Sequence, residues 1–414
     1  MTDDRCVSHG TGTPDLIPVT QHRDAVAALV APTPVRAVPL ADCLGLALAE
    51  DLRSPIPLPP FDNSAMDGYA VRSVDLVEAD ADAPVALPVG EDIPAGRVDV
   101  PPLQPGTAHR IMTGAQLPPG ADAVVPVERT DGGVREVRIG LAAQPGAHVR
   151  RAGEDVGAEA TVLTAGTALT PARLGVAAAV GAAELPVHRP ARVLVLSTGS
   201  ELVEPGEPLR PGQIYESNGL MLAAAVRDAG ATARLLRFVP DDVDQFHAAL
   251  EPELAGTDLV LTTGGVSAGA YEVVKDALAG QGVEFTKVAM QPGMPQGSGR
   301  YRGGPAVVAL PGNPVSAMVS FEVFVRPVLR SAAGHRDAHR PVRRAELTEP
   351  LRTPAGKRQY RRGRFDPVSG AVALHGGPGS HLLSALAEAD CLLEIPEEVT
   401  DLPVGSTVDI WLLD

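Results

Sequence analysis

The sequence is poor in several residue types, and each shortage narrows the class of protein. Only 3% of the 414 residues are aromatic, so the hydrophobic cores must consist mainly of Ala, Val and Leu. Three widely separated cysteines, Cys6, Cys43 and Cys391, exclude a disulfide framework or a metal knuckle and imply a reducing compartment. Basic residues number 35 against 51 acidic ones, and the net charge of −16 argues against a nucleic-acid or anionic-membrane partner.

We expect neither a membrane span nor a targeting leader. The first residues are polar and acidic, without the basic start and apolar centre of a signal peptide. No apolar run approaches the roughly 18 residues needed to cross a bilayer. We therefore expect a cytoplasmic protein without membrane contact. The length exceeds what one hydrophobic core fills, which predicts about two to four domains.

The first part of the chain predicts a helical domain interrupted by a β-rich module. Apolar spacing predicts one helix over "QHRDAVAALV" and a second, short one over "VPLADCLGLALAEDL". Between Ser54 and Gly146, short apolar runs separated by Pro and Gly predict an all-β module. Thr170 and Pro171 then form a typical helix start. We expect this later helix to fold back onto the first one, which would make the N-terminal domain discontinuous.

The second part of the chain predicts an α/β fold. From Arg192 onward, short apolar strands alternate with helices, which favours a parallel sheet covered by helices on both faces, a three-layer α/β sandwich. Beyond Gly334 the chain becomes basic and then alternates as a second small all-β, barrel-like domain. The predicted fold class is thus multidomain α/β. Its predicted domains are 1–53 with 147–188, 54–146, 189–334 and 335–414.

Two strand-end loops have the composition of anion cradles. In "TTGGVSAG" and "LPGNPVSA", backbone N–H groups and a helix start follow a buried strand directly. The first loop lacks the Gly-Lys-Ser/Thr ending of a phosphate loop, which excludes a nucleoside triphosphatase. It also lacks the glycine spacing of a dinucleotide-binding loop, which excludes a dehydrogenase. A tight strand-to-helix turn is the alternative for the first loop. The candidate binding residues are Gly264, Gly265, Ser267, Pro311, Gly312 and Asn313.

Acidic residues follow the same strand ends. Glu201, Asp241, Asp242 and Glu272 all fall on the rim where a parallel sheet binds ligands. Each alone reads as a helix cap or a solvated loop charge. Together they would repel one another unless a divalent cation held them, and Mg²⁺ binds one or two carboxylates plus phosphate oxygens. The pattern therefore predicts a metal-assisted phosphoryl or nucleotidyl reaction.

Several long motifs, in a fixed order, carry a family resemblance. The stretches "FDNSAMDGYAVR", "RIMTGAQLPPGADAVV", "LSTGSELVEPGEPL", "GQIYESNG", "TTGGVSAG" and "LPGNPVSAMVSFEVFV" together resemble the molybdopterin molybdenumtransferases, the MoeA-type proteins related to the gephyrin E domain. The resemblance runs from about Val19 to the end. It implies a homodimer of four-domain subunits with a molybdopterin-binding α/β domain. The implied reaction inserts molybdate into adenylylated molybdopterin, releases AMP and uses a cation such as Mg²⁺.

The resemblance also implies roles for individual residues. The active cleft would combine the α/β domain of one subunit with the β module of the other, so that Asp67 reaches into its partner's cleft. The alternative for Asp67 is a turn aspartate that caps local N–H groups. For Lys287 and Arg362 the alternative is a solvated surface charge. The implied catalytic acids are Asp67, Glu201, Asp241, Asp242 and Glu272, with Thr113 beside them. The implied metal ligands are Glu201, Asp241 and Asp242. The implied contacts to the substrate are Lys287, Arg362 and Ser380.

The sequence departs from the family pattern at three positions. Glu272 stands where many members have an aspartate, and Gln291 and Met294 stand where many have lysines. The missing positive charge would weaken attraction for an oxyanion. We expect Lys287 and the helix starts at Ser267 and Asn313 to hold the anion instead, with Gln291 nearby.

Two proteins of related sequence with other functions are the alternatives to a molybdenumtransferase. A molybdopterin adenylyltransferase would resemble only about residues 192–334, and the additional β modules here favour metal insertion. A non-catalytic scaffold, as among gephyrin relatives, would make the acidic set dispensable. Other molybdenum cofactor biosynthesis proteins stay open as partners.

Overall fold

A computed structural model describes residues 16–237, 242–266 and 273–413. Cys6, Asp241, Ser267 and Glu272 lie outside the described residues, so the predictions for them stay predictions. Within the described part of the chain, no helix combines the length and apolarity that crossing a membrane requires.

The central sheet has six strands, four of them parallel. Their spatial order is Thr232–Arg237, Arg192–Ser197, Leu259–Thr263, Ala306–Leu310, Pro295–Arg300 and Val283–Lys287. The first four pair in parallel, as predicted, whereas the last two form an antiparallel hairpin at one edge. The prediction of a wholly parallel sheet was therefore wrong at this edge.

The hairpin follows from a short connection and from glycines. Only a few residues separate Lys287 from Pro295, too few for the crossover that a parallel strand needs. Gly299 lies so close to the neighbouring strand that a Cβ atom there would sit 2.0 Å from the carbonyl oxygen of Gly282. Glycine is unusual inside a strand, so "PQGSGR" gives no strand signal in the sequence.

Both faces of the central sheet are covered by helices. One face packs against helices Asn218–Asp228, Pro314–Ser320 and Arg326–Ala332, and the other against helices Val243–Leu250 and Val273–Leu278. Alternate side chains of one strand feed the two cores: Val193 and Val195 join the first, and Leu194 and Leu196 the second. Strand ends and helix starts therefore meet at one rim of the sheet.

The N-terminal helix, Val19–Ala27, belongs to the core of the central sheet. Val19 and Val26 are buried there, and the ring of His22 packs edge-on against Phe324 at 4.7 Å. The expected contact with helix Pro171–Ala179 was therefore wrong, because the apolar face of the first helix is already buried elsewhere.

Strand pairing, and not helix packing, joins the two separated N-terminal segments. Val35–Pro39 pairs with Glu184–His188, and Leu52–Arg53 pairs with Thr161–Leu163. The prediction of a second helix over residues 38–52 was wrong, because only the 3₁₀ turn Leu40–Asp42 forms there.

The β module contains a five-stranded sheet, and the expected strands are present. In spatial order the strands are Ala123–Pro126, Gly68–Val71, Ala108–Ile111, Val85–Ile93 and Glu136–Ile139. A two-stranded pair, Asn63–Ser64 with Val149–Arg150, lies beside it. Gly68 is required where it stands, because a Cβ atom would lie 2.0 Å from the carbonyl oxygen of Val125. This close approach fixes the turn that carries Asp67.

The C-terminal strands pair in a closed ring, which we call the C-terminal barrel. In ring order they are Arg358–Asp366, Ala371–Leu374, Val342–Leu347, Thr407–Leu412 and Cys391–Ile395. A two-residue strand from the central domain, Met290–Gln291, adds in parallel to Arg358–Gln359. Helix Leu383–Ala387 lies within this part, and the pair Leu351–Arg352 with Asp401–Leu402 lies beside the ring. The barrel is thereby joined directly to the central sheet region.

Candidate active site

A cleft of about 1010 Å³ opens at the carboxyl ends of the central parallel strands. Strand-end loops, the segment 291–295 and a loop of the C-terminal barrel line it. The structure brings most of the predicted ligand contacts together here. The predicted residues that line the cleft are Glu201, Gly264, Gly265, Gln291, Pro311, Gly312, Asn313 and Ser380.

The glycine-rich turn after strand Leu259–Thr263 needs its glycines. Gly264 and Gly265 have φ angles of +90° and +67°, which favour glycine. A Cβ atom on Gly265 would also lie 2.9 Å from the Cβ atom of Val274. The turn therefore presents bare backbone to the cleft, as an anion cradle requires.

Asn218 ties two strand-end loops together, and no role for it follows from the sequence. Its Nδ2 group donates to the hydroxyl of Thr263 at 3.1 Å and to the carbonyl oxygen of Gly312 at 2.6 Å. Thr263 in turn donates to the carbonyl oxygen of Pro311 at 3.2 Å. Asn218 begins helix Asn218–Asp228, so one helix start braces two adjacent loops. The signal available was its place in "ESNG", a loop ending at a helix start.

Two carboxylates line the cleft. Glu201 is exposed, with its carboxylate beside Gly199, where a Cβ atom would lie 2.7 Å from the Oε2 atom. Glu216 accepts hydrogen bonds from the hydroxyl of Ser197 at 3.0 Å and from the N–H of Gly219 at 2.6 Å. Glu216 was not predicted as a site residue. Its bonds hold it against a strand end and a helix start, whereas Glu201 is free to meet a ligand.

The C-terminal barrel supplies one wall of the cleft. Asn313 donates from Nδ2 to the hydroxyl of Ser380 at 2.8 Å, and the N–H of Val315 donates to the carbonyl oxygen of Ser380 at 3.1 Å. The buried guanidinium of Arg362 donates to the carbonyl oxygens of Gly377 and Gly379 and so holds the loop that carries Ser380. Burial, and then the charge of Arg361, lower the pKa of Arg362.

Of the predicted residues that the structure describes, five do not line the cleft: Asp67, Thr113, Asp242, Lys287 and Arg362. Lys287 is exposed at the end of its strand. Asp242 precedes helix Val243–Leu250 and caps it, accepting a hydrogen bond from the N–H of Gln245 at 2.9 Å. The helix cap foreseen as the alternative for such acids is thus present at Asp242.

Asp67 and Thr113 meet in the β module, away from the described cleft lining. The Oδ1 atom of Asp67 accepts from the hydroxyl of Thr113 at 2.7 Å and from its N–H at 2.6 Å. These bonds, the side-chain one first, hold the pKa of Asp67 below its ordinary value. The pair is exposed and its carboxylate is ionised, so it is available to a ligand or to another surface.

The cleft is unusually short of positive charge for an anion site. Its described lining contains no Lys or Arg, and Gln291 and Met294 both line it. His381 is the basic residue found there. Among the described residues, no group of three or more His, Cys, Asp or Glu side chains is arranged to hold a metal ion.

Comparison with known proteins identifies the family. Three family models match in order along the chain: the MoeA N-terminal region (domain I and II) at residues 17–181, a probable molybdopterin binding domain at 194–331, and the MoeA C-terminal region (domain IV) at 344–413. The chain belongs to the molybdopterin molybdenumtransferase (MoeA) family. Molybdopterin molybdenumtransferase 2 of Mycobacterium tuberculosis is 57% identical over 400 residues, which are 95% of this chain and 98% of that protein.

More distant MoeA relatives agree over similar lengths. Molybdopterin molybdenumtransferase of Haemophilus influenzae is 36% identical over 388 residues, 92% of this chain and 94% of that protein. The crystal structure of the molybdopterin biosynthesis MoeA protein of Pyrococcus horikoshii has a TM-score of 0.81 at 31% identity and covers 97% of this chain and 100% of its own. The multidomain α/β architecture is therefore that of MoeA proteins.

Proposed function

We propose that this chain is a transferase of molybdenum cofactor biosynthesis that inserts molybdate into adenylylated molybdopterin with release of AMP. The observation that carries the proposal is its 57% identity to a molybdopterin molybdenumtransferase over 98% of that protein. The cleft of about 1010 Å³, at the ligand-binding end of the central sheet, has room for a pterin joined to a nucleotide.

The residues of the cleft would divide the work of binding. Backbone N–H groups of Gly265 and Gly312 would hold phosphate oxygens, because a glycine has no side chain to keep an anion away. The N–H of Gly264 instead donates to the carbonyl oxygen of Leu310 at 3.2 Å. Asn313 and Ser380, hydrogen-bonded to each other, would fix the substrate from the barrel side. Molybdate is the second substrate and would enter beside them. Holding both reactants in one cleft supplies the proximity on which such a transfer depends.

The carboxylates present fit a divalent cation such as Mg²⁺, which typically takes one or two carboxylates together with substrate phosphate oxygens. Glu201, exposed in the cleft, would hold the ion. Asp241 and Asp242 stay the other proposed ligands, although the carboxylate of Asp242 also caps a helix. When bound, the cation neutralises phosphate charge beside the incoming oxyanion.

We further propose a homodimer with composite active sites. Asp67 and Thr113 are exposed, hydrogen-bonded to each other and outside the described cleft lining of their own subunit. Phe61 and Met66, on the same turn segment, are exposed by 40% and 37%. Apolar side chains around an ionised carboxylate favour a surface that a second copy covers, with Asp67 entering the partner's cleft.

The finer structural expectations belong to the same proposal. We infer four domains with the boundaries given above, except that helix Val19–Ala27 packs in the core of the third domain. We also infer a three-layer sandwich for that domain and a cytoplasmic location. The support for the domain division is that separate sheets and cores form within these segments. Family matches on both sides of residues 194–331 favour metal insertion over adenylyl transfer, which needs only the α/β domain.

The test is to incubate purified protein with adenylylated molybdopterin, Mg²⁺ and molybdate and to follow AMP by chromatography. We expect AMP release that requires molybdate. At limiting Mg²⁺, Glu201→Gln should lose most turnover, whereas the matched control Glu207→Gln, exposed in the same segment but outside the cleft lining, should keep it. A folded wild-type dimer that releases no AMP would refute the proposal, and pyrophosphate release from ATP and molybdopterin would indicate the adenylyltransferase.

A further inference from the structure

Two buried glutamines hold the cleft segment 291–295 from opposite sides. Gln296, exposed by 1%, donates to the carbonyl oxygen of Gly293 at 2.6 Å and to the hydroxyl of Ser320 at 2.7 Å. Gln359 of the C-terminal barrel is fully buried and lies directly opposite Gln291 in the parallel strand pair. The segment is therefore held in place by both the central domain and the barrel.

The hydrogen bonds of Gln359 determine how the amide of Gln291 is turned. The carbonyl oxygen of Lys357 can only accept, so the Gln359 atom facing it at 3.3 Å is the donor Nε2. The same Nε2 group donates to the side chain of Gln291 at 3.4 Å, so Gln291 must present its oxygen, Oε1. The Nε2 group of Gln291, with two N–H donors, is then left for the cleft, because it has no acceptor among the described residues.

The buried amide of Gln359 does not stabilise the fold. Its Oε1 atom is buried without a hydrogen-bond partner among the described residues, and an unpaired buried acceptor is unfavourable. An apolar side chain of the same length would avoid this penalty at the same position. The amide of Gln359 is therefore useful mainly for what it does to Gln291.

We propose that Gln359 is a positioning residue that turns the amide of Gln291 so that its two N–H groups bind a tetrahedral oxyanion in the cleft. The described lining has no Lys or Arg, so neutral donors must carry part of anion binding. The inference rests on the proposed function for the ligand's identity. The oxyanion is either molybdate or a phosphate of the adenylylated substrate, which share the same acceptor chemistry.

The test separates the two sources by steady-state kinetics of AMP release. Gln359→Met keeps length and removes the amide. We expect it to raise one KM by about 3- to 10-fold, the loss of roughly one hydrogen bond, with kcat nearly unchanged. A higher KM for molybdate identifies molybdate as the ligand, and a higher KM for adenylylated molybdopterin identifies the phosphate. Because Gln359 acts through Gln291, the double variant Gln291→Met with Gln359→Met should be no weaker than Gln291→Met alone.

Unchanged KM values in both arms, or losses that add up in the double variant, would overturn the inference. If Gln359→Met does not fold, Gln291→Glu decides: it still accepts from Gln359 but turns a carboxylate oxygen toward the cleft, so the same KM should rise more than 10-fold. Wild-type KM values for Gln291→Glu would equally refute the proposal. Equilibrium dialysis against molybdate and inorganic phosphate measures oxyanion binding directly, even if the wild type releases no AMP. Gln291→Glu should bind one of the two anions more weakly than the wild type, and equal binding of both anions would refute the proposal.

Discussion

Replacing Asn218 by alanine should loosen the floor of the cleft. The side chain makes two hydrogen bonds, to Thr263 at 3.1 Å and to Gly312 at 2.6 Å. Each such bond has a net worth of about 0.5 to 1.5 kcal/mol, so their joint loss should destabilise the strand ends by about 1 to 3 kcal/mol. This corresponds to an opening equilibrium of strand Leu259–Thr263 that is about 5-fold to 150-fold more favourable.

Hydrogen–deuterium exchange of the peptide covering Leu259–Thr263 measures this opening within one domain of a multidomain protein, where global unfolding is not two-state. A double-mutant cycle with Thr263→Val isolates the bond between the two side chains, and its coupling energy should be about 1 kcal/mol. Asn313→Ala is the matched control: Asn313 lies in the same cleft and bonds the barrel, not strand Leu259–Thr263. A coupling energy near zero, or equal acceleration by Asn313→Ala, would refute the reasoning.

Three further predictions concern acid stability, Asp67 and assembly. Burial lowers the pKa of His22 to about 4, so between pH 6.5 and pH 4 the unfolded chain binds a proton that the folded protein does not, and the free energy of unfolding falls with pH. In urea titrations, His22→Phe should lose roughly 3 kcal/mol less of this free energy than wild type over the same range. Equal losses would contradict the prediction. Asp67→Asn keeps the acceptor for Thr113 but removes the charge, so AMP release should fall sharply with unfolding unchanged, whereas Asp131→Asn, an exposed acid in the same module, should remain active. Sedimentation at micromolar concentration should show a dimer, and an active monomer would exclude a composite site.

Short-range patterns predicted much of the fold. Apolar runs such as Arg192–Ser197 and Leu259–Thr263 are strands because both of their faces are buried, and a cleft lies at the strand ends where the alternation of strands and helices predicts one. Where the pattern is local, the sequence is sufficient.

The failures concern contacts between distant parts of the chain. Residues 38–52 have helical spacing, yet Val35–Pro39 pairs with Glu184–His188 and Leu48 with Val187, and this pairing overrides the local preference. Asn218 bonds Thr263 and Gly312, which lie 45 and 94 positions away along the chain. Gln359 bonds Gln291, which lies 68 positions away. No spacing within a short window encodes such a partner, so neither residue stands out before the fold is known.

The strand Met290–Gln291 joins the cleft to the C-terminal barrel, and this has a consequence for the order of synthesis. A chain made from the N-terminus could form much of the central sheet before residue 358 exists. The segment carrying Gln291 would then lack its neighbouring strand, and Asn313 would lack Ser380. The cleft is therefore completed among the last events of folding, so a chain terminated before residue 358 would carry the strands of the central sheet without the wall that holds the ligand in place.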